Sequence, residues 1–158
     1  MVAYDGSREG RTALREGVLL ARQTGAKLYV LAVVADTPGM RMAEGAHAGA
    51  MALQQDTYKD ILDEAVRGLQ AMGIPVTGKL ARGEPAQQIA AFAAEVRADL
   101  VVVGHRKQSL LQRWWSGPNG AYLSDYLSCS LLIARATISQ EDFLRQLGSP
   151  AAAPTDPE

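Results

Sequence analysis

Two apolar runs that do not alternate with polar residues constrain the fold of this chain most strongly. Leu100 to Val103 and Leu131 to Ala134 place aliphatic side chains at consecutive positions. A strand with one wet face alternates apolar and polar residues, whereas a strand covered on both faces does not. The two runs therefore predict a parallel sheet flanked by helices. Gly104 directly follows the first run, at the strand end where ligands bind in such sheets.

Strand and helix signals alternate along the rest of the chain. The predicted strands cover residues 1–4, 27–34, 74–81, 100–103 and 131–134. The predicted helices start at Ser7, at the apolar stripe that begins with Tyr58, at Gly83-Glu84-Pro85 and after Gly117-Pro118. Right-handed crossovers convert this order into an α/β three-layer sandwich.

The length of the chain favours a single domain followed by a short extension. The chain has 158 residues, of which 47% are hydrophobic, and this is enough for one sizeable core. We place the domain at residues 1–135. In residues 136–158 we predict a short helix, from the capping-box pattern at Ser139 to Asp142 as far as Gly148, and then a disordered tail rich in alanine and proline.

Charge and hydropathy argue against several classes of partner. Sixteen Lys and Arg residues stand against seventeen Asp and Glu residues, a net charge of -1. This balance favours neither nucleic acid nor an anionic membrane. No apolar run approaches about 18 residues, and no signal-peptide pattern opens the chain. We therefore predict a cytoplasmic protein that binds neither nucleic acid nor membrane.

The segment from Ala35 to Ala50 contains glycines, one proline and no clean period. This composition favours a long loop over the sheet edge. The loop has two interpretations, a disordered connector or a lid over a ligand.

Catalytic residues are scarce in this sequence. His47 and His105 have no spacing to each other or to carboxylates that would form a metal site. Cys129, the only cysteine, stands between two serines at the start of the last predicted strand, where a packing role is favoured over that of a nucleophile. The sequence also lacks nucleophile-elbow, zinc-protease and P-loop motifs. We therefore predict no catalytic residues and no metal site.

A basic loop follows Gly104. His105, Arg106, Lys107 and Arg113 precede a predicted helix start, and no acidic residue interrupts them. Cationic side chains and the unpaired N–H groups at a helix start favour the binding of an anion. The alternative is an ordinary solvated loop.

Asp5 follows the first predicted strand, which is adjacent to the fourth in this topology. A carboxylate at such a strand end can accept hydrogen bonds from ribose hydroxyls. It can equally cap the first helix. Both roles stay open for Asp5.

Five segments together resemble the universal stress protein family from Val2 to about Arg135. They are AYDGS at 3–7, ALREGVLLAR at 13–22, GEPA at 83–86, ADLVVVG at 98–104, and the spacing from Gly117 to CSLLI at 129–133. The resemblance implies a Rossmann-like α/β fold of the adenine nucleotide alpha hydrolase-like type, with a five-stranded parallel sheet in the order 3-2-1-4-5. It also implies a homodimer formed through the last strand. In one branch of the family it implies bound ATP or AMP, with Mg²⁺ only where ATP is bound.

The glycine motif of that nucleotide-binding branch is kept in frame here and changed at two positions. The motif is G-x-x-G-x9-G-[S/T]; Gly104 and Gly117 keep the first and third glycines, Lys107 replaces the second, and Pro118 replaces the hydroxyl residue. Pro118 removes a backbone N–H and a hydroxyl, and a hydrogen bond to a charged group contributes about 1.5–3 kcal/mol. Its loss weakens binding roughly tenfold to a hundredfold. Lys107 either blocks the phosphate cradle or adds a positive charge to it.

Carried over residue by residue, the resemblance implies a nucleotide site with three parts. Asp5 would bind the ribose and Val34 would lie near the adenine, while Ala3 and Tyr4 would line the base pocket. The phosphates would lie among Gly104, Arg106, Lys107, Gly117, Pro118 and Asn119.

Three hypotheses for function follow. The first is a stress-response homodimer that binds an adenine nucleotide, ATP or AMP, weakly or conditionally. The alternative is a nucleotide-free homodimer that acts through protein–protein contacts. The third is an enzyme, but Asp5-Gly6-Ser7 stands where nucleotidyl transferases carry a His-x-x-His signature, and no general base is positioned by the pattern. We therefore predict a binding module without turnover.

Overall fold

A five-stranded parallel sheet forms the centre of the molecule. The computed structural model of the chain describes residues 1–35, 48–105, 123–135 and 137–148, with residues 48–52 described by their backbone alone. Its strands are β1 (Val2–Ala3), β2 (Leu28–Ala35), β3 (Val76–Gly83), β4 (Leu100–Gly104) and β5 (Ser130–Ala134). They are ordered β3-β2-β1-β4-β5, and every neighbouring pair is parallel. The predicted sheet and its order are confirmed.

The register of the sheet places the carboxyl ends of the strands along one edge. Val2 in β1 pairs with Val30 in β2 and with Val102 in β4. In the outer pair, Gly104 of β4 lies opposite Ala134 of β5. The chain leaves β1 toward one side of the sheet and later returns to add β4 on the other side. The crevice between the ends of β1 and β4 is therefore the topological switch point of the sheet.

Local capping signals set where the helices begin and end. The described residues form α1 (Arg8–Thr24), α2 (Ala48–Ala71), α3 (Pro85–Glu95), α4 (Leu123–Tyr126) and α5 (Gln140–Gly148). Ser7 caps α1, and Gly25 ends it in the left-handed region at φ 67°. Glu84 caps α3 by accepting a hydrogen bond from Gln87 N. Ser139 caps α5 in the same way from Asp142 N at 3.0 Å. The starts predicted for these three helices are confirmed.

Helix α2 begins earlier than predicted. It starts at Ala48 rather than near Tyr58, so the loop predicted to continue to Ala50 ends sooner. Residues 53–57, which precede the predicted stripe, are mostly exposed, with Leu53 at 70%. An exposed stretch of helix shows no apolar period, so the sequence pattern did not predict that the helix includes it.

Strand β3 also differs from its prediction, because its pairing with β2 continues to Gly83 instead of stopping at Ala81. The remainder of the predicted loop, residues 36–47, lies outside the described residues. The same holds for the basic loop from Arg106 and for the helix start at Gly117-Pro118. No helix within the described ranges is long and apolar enough to span a membrane.

Alternation along β1 sends side chains into two cores, one on each face of the sheet. Val2 and the following Tyr4 pack with residues of α1, α2 and α5, whereas Met1 and Ala3 pack with residues of α3 and α4. Phe143 of α5 is only 5% exposed and belongs to the first of these cores. The short C-terminal helix therefore packs against α1 and α2.

Candidate functional site

The residues predicted to bind a nucleotide from the strand ends lie along the carboxyl edge of the sheet. Tyr4 N donates to Leu31 O at 2.8 Å, which continues the pairing of β1 with β2 beyond Ala3. Val34 is buried near the end of β2, and Gly104 ends β4. The sheet therefore gathers Asp5, Val34 and Gly104 at one edge, around the switch point.

Asp5 is held by the turn that starts α1. Its Oδ1 accepts hydrogen bonds from Ser7 N at 3.0 Å and from Ser7 Oγ at 2.5 Å. Ser7 Oγ in turn accepts from Gly10 N at 2.9 Å, so the carboxylate orients the residue that caps the helix. The sequence left two roles open for Asp5, ribose binding and capping of α1. The structure shows the capping role, which Asp5 performs indirectly by orienting Ser7. The ribose-binding role of Asp5 stays a prediction.

Ala3 and Tyr4 do not face the same side of the sheet. Ala3 packs in the core that contains Val33 and Val103, whereas Tyr4 packs against the α1 and α2 side with Leu14. Successive strand residues point to opposite faces, so this divergence follows from β1 geometry. The base pocket implied for Ala3 and Tyr4 together stays a prediction.

The phenol of Tyr4 lies in an apolar setting close to charged groups. Its side chain is 8% exposed. Burial raises the pKa of the Tyr4 phenol above the ordinary value of 10.0, while the positive charges of Arg11 and Arg15 act in the opposite direction. Tyr4 is therefore a neutral hydrogen-bond donor at physiological pH.

Gly104 is pressed against the first turn of α1. A Cβ at this position would lie 2.4 Å from Glu9 O and 3.0 Å from Gly10 N, and both of these are backbone atoms. Any side chain at residue 104 would force β4 and α1 apart. The sequence resemblance predicts a phosphate-binding role for Gly104. The packing against α1 independently requires glycine at this position, and no sequence pattern indicates that contact.

His105 brings an additional polar atom to this edge of the sheet. Its backbone N donates to Ala134 O at 3.0 Å and extends the ladder between β4 and β5. Its Nδ1 is buried and has no hydrogen-bond partner within the described part of the chain. A buried polar atom of this kind costs free energy unless a ligand or another group satisfies it. The sequence placed His105 in a basic loop and gave it no metal-site spacing, and neither pattern indicates a buried ring nitrogen.

The phosphate side of the predicted site lies outside the described residues. It consists of Arg106, Lys107, Gly117, Pro118 and Asn119. Across the described ranges, no three His, Cys, Asp or Glu side chains come together in a way that could hold a metal ion. Binding of Mg²⁺ together with ATP stays a prediction.

Several known proteins are similar to this chain over most of its length. Universal stress protein MJ0531 of Methanocaldococcus jannaschii is 24% identical over 136 residues, which is 85% of this chain and 80% of that protein. The crystal structure of a universal stress family protein from Burkholderia pseudomallei is 25% identical, with a TM-score of 0.64 over 85% of this chain and 95% of that one. A universal stress protein solved in complex with cAMP is 23% identical, with a TM-score of 0.58 over 87% of this chain and 97% of that one.

The sheet order and the crevice at its switch point define a Rossmann-like α/β protein. The sequence matches the universal stress protein family over residues 1–135, and the chain belongs to that family. The resemblance in the five sequence segments is thereby confirmed.

Proposed function

We propose that this chain is a stress-response module that binds an adenine nucleotide weakly or conditionally, without catalytic turnover. The observation that supports the proposal is the position of Asp5 directly after β1 and of Gly104 at the end of β4, the two strands that flank the switch point. In open parallel sheets, ligands bind in the crevice outside the carboxyl ends of the strands at this point.

Each described residue has a distinct role in the proposed site. The carboxylate of Asp5 accepts hydrogen bonds from the ribose hydroxyls while it continues to orient Ser7. Val34, buried near the end of β2, supplies an apolar contact for the base. Gly104 lets the backbone of β4 and the start of α1 approach each other closely. On the phosphate side, Arg106 and Lys107 supply positive charge.

The departures from the family glycine motif set the expected affinity. Pro118 lacks the N–H and the hydroxyl of the usual residue, so we expect binding to be about tenfold to a hundredfold weaker than with an intact motif. A universal stress protein of the same fold has been solved with cAMP, which supports an adenine nucleotide as the first ligand to test.

The experiment begins with the purified protein as isolated. Small molecules released by denaturation are identified by mass spectrometry, and ATP, ADP and AMP are then titrated by calorimetry. We expect binding between micromolar and millimolar concentrations. Protein shown to be folded that releases no nucleotide and does not titrate at millimolar concentration would contradict the proposal.

The role of Asp5 is tested with Asp5→Asn, which keeps an oxygen to accept from Ser7 and removes the charge. We expect ATP to bind about tenfold more weakly. ATP should also bind the native chain more tightly than 2′,3′-dideoxy-ATP, whereas Asp5→Asn should bind both alike. Asp99→Asn is the matched control, because Asp99 is exposed at the opposite end of β4. If Asp5→Asn and Asp99→Asn lower the ATP affinity equally, the loss comes from the change in net charge and not from a contact between Asp5 and the ribose.

A second candidate function is a nucleotide-free module that acts through protein contacts. Lys107 and Pro118 favour it, because both depart from the nucleotide-binding motif. The double variant Lys107→Gly with Pro118→Ser rebuilds the motif. If the native chain binds nucleotide and the double variant binds it more tightly, the first function is supported. If the native chain binds no nucleotide and the double variant does, the second function is supported.

Homodimer formation belongs to both candidate functions. β5 is an edge strand, and its central residues Leu131, Leu132 and Ile133 are only partly buried. An apolar strand edge of this kind is a template for pairing with another chain. We propose that two copies associate through β5.

A further inference from the structure

A cavity separate from the switch point opens between α1, α2 and α5. Its volume is about 420 Å³. This lies within the range of about 300–1,000 Å³ that small-molecule sites occupy. The nucleotide crevice is bounded by the ends of β1 and β4, whereas this cavity lies on the face of the sheet that α1 and α2 cover.

The floor of the cavity is apolar. Tyr4, Leu14, Leu69 and Phe143 line it and are each less than 10% exposed, with Tyr4 at 8% and Phe143 at 5%. Ile61 of α2 adds a partly buried aliphatic wall. Such a floor removes the hydrocarbon part of a ligand from water, at about 25 cal/mol per Å² buried.

The rim of the cavity carries more positive than negative charge. Arg11 and Arg15 line it from one face of α1, four residues apart, and Glu64 lines it from α2. Arg11 Nη1 donates to Gly6 O at 2.5 Å, and Arg15 Nη1 donates to Ile138 O at 2.5 Å. Each guanidinium has five N–H donors, so these bonds hold the two groups in place and leave donors for an anion.

Tyr4 adds a neutral donor at the polar end of the floor. Its phenol lies within electrostatic reach of Arg11 and Arg15 and of the carboxylates of Glu64 and Asp5, and burial together with the two carboxylates raises the pKa of the phenol, so the O–H group stays protonated. A hydroxyl donor beside two guanidinium groups suits a carboxylate.

We propose that the cavity between α1, α2 and α5 binds a small apolar monocarboxylate, such as a medium-chain fatty acid. The carboxylate lies at the rim beside Arg11 and Arg15. The hydrocarbon chain lies on the floor against Phe143. Because Phe143 belongs to α5, binding also stabilises the packing of α5 against α1 and α2.

Octanoate is the probe for the charge and apolar character of the site. It is titrated below its micelle concentration and compared with octylamine and octanol, which share the chain and differ in charge. We expect octanoate to bind most tightly and to slow amide hydrogen exchange in α5. Tighter binding of octylamine than of octanoate, or no binding of octanoate at millimolar concentration, would overturn the proposal.

The location of the site is tested with Gly68→Leu. Gly68 lines the cavity, and a Cβ added there meets nothing within 4 Å, so the variant is expected to fold. A leucine at the mouth should weaken octanoate binding by at least about tenfold. Gln70→Leu is the control, because Gln70 lies two residues further along α2 and lines a different cavity. Equal binding by native chain and Gly68→Leu would place the ligand elsewhere.

The contribution of the rim charge is tested with Arg11→Gln. We expect octanoate affinity to fall about threefold, the size typical of an exposed charge. Arg8→Gln is the matched control, since Arg8 is an exposed arginine of α1 outside the cavity. Glu64→Gln should have the opposite effect and strengthen binding. ATP affinity should not change in any of these variants, which separates this site from the proposed nucleotide site.

Discussion

Gly104 is constrained by its packing against the first turn of α1. The backbone of Glu9 in the first turn of α1 lies against it, so a methyl group at residue 104 has no room. We expect Gly104→Ala to lower the free energy of unfolding by about 1–3 kcal/mol, the usual cost of overpacking. Urea denaturation followed by circular dichroism measures this. Gly68→Ala is the control, because its Cβ meets nothing within 4 Å and alanine favours a helix by up to about 1 kcal/mol. Similar effects of the two substitutions would contradict the packing argument.

Tyr4 gives the protein a predictable response to alkaline pH. Burial raises the pKa of its phenol in the folded state above the ordinary 10.0 of the unfolded chain. The corresponding stabilisation is fully present below about pH 10 and is lost as pH rises through the folded-state pKa. We therefore expect the free energy of unfolding to fall more steeply in the native chain than in Tyr4→Phe above about pH 10.

The comparison between the two proteins isolates Tyr4 from every other group that titrates in this range. Tyr126→Phe is the control for removal of a hydroxyl, at a side chain that is 39% exposed. Parallel stability curves for native chain and Tyr4→Phe would show that the Tyr4 phenol does not contribute.

For single residues, the sequence predicted position along the sheet better than it predicted packing contacts. Asp5, Val34 and Gly104 do lie at one sheet edge, because residues that follow parallel strands share that edge. The divergence of Ala3 and Tyr4 follows from alternation in β1, which the residue-by-residue resemblance did not consider. The contact between Gly104 and Glu9 joins two distant parts of the chain, and no local pattern encodes it.

Among the elements, α5 contributes one buried side chain, Phe143, to the core. Phe143 is 5% exposed and packs in the core with α1 and α2, whereas the neighbouring Leu144 is 49% exposed. We expect Phe143→Ala to cost about 3–5 kcal/mol if α5 unfolds together with the domain. Leu144→Ala should cost less than about 0.5 kcal/mol. Hydrogen exchange tests whether α5 detaches alone: fast exchange confined to α5 in Phe143→Ala, with little loss of global stability, would mean that it does.

Helix starts were the most predictable feature of the elements. Ser7, Glu84 and Ser139 each accept a hydrogen bond from a backbone N–H in the first turn, and such caps are visible in sequence. The start of α2 was not predictable in this way. Its first turns at Ala48 precede the buried stripe, and the extension of β3 to Gly83 is decided by its partner strand β2.

For the whole molecule, the dimer proposed above would form through β5, which is one of the two edge strands of the sheet. Leu131 is partly buried in β5 and lies at the edge of the sheet. If two copies pair through this strand, Leu131→Lys places two like charges at the interface, so we expect the dimer dissociation constant to rise by at least about tenfold. Light scattering across a concentration series measures it. Leu144→Lys, on α5, should leave the association unchanged, and a native chain that is monomeric at micromolar concentration would rule out this dimer.

The topology of the whole molecule was predictable because two independent signals agreed. The apolar runs at 100–103 and 131–134 required a sheet covered on both faces, and the family resemblance supplied its strand order. The cavity under α5 was not predictable. It depends on how α1, α2 and α5 meet, and its lining residues are separated by most of the length of the chain.

The attachment of α5 has a consequence for the lifetime of the protein. Two arginines of α1 bind the backbone just before α5 and near its end. Arg15 donates to Ile138 O at 2.5 Å, and Arg22 donates to Gln146 O at 3.3 Å. A protease that cleaves after Arg145 needs α5 to detach and unfold first. The rate of cleavage therefore depends on the fraction of molecules in which α5 is detached. Any ligand or partner that tightens this attachment therefore lengthens the survival of the chain among proteases, even if it leaves the global stability unchanged.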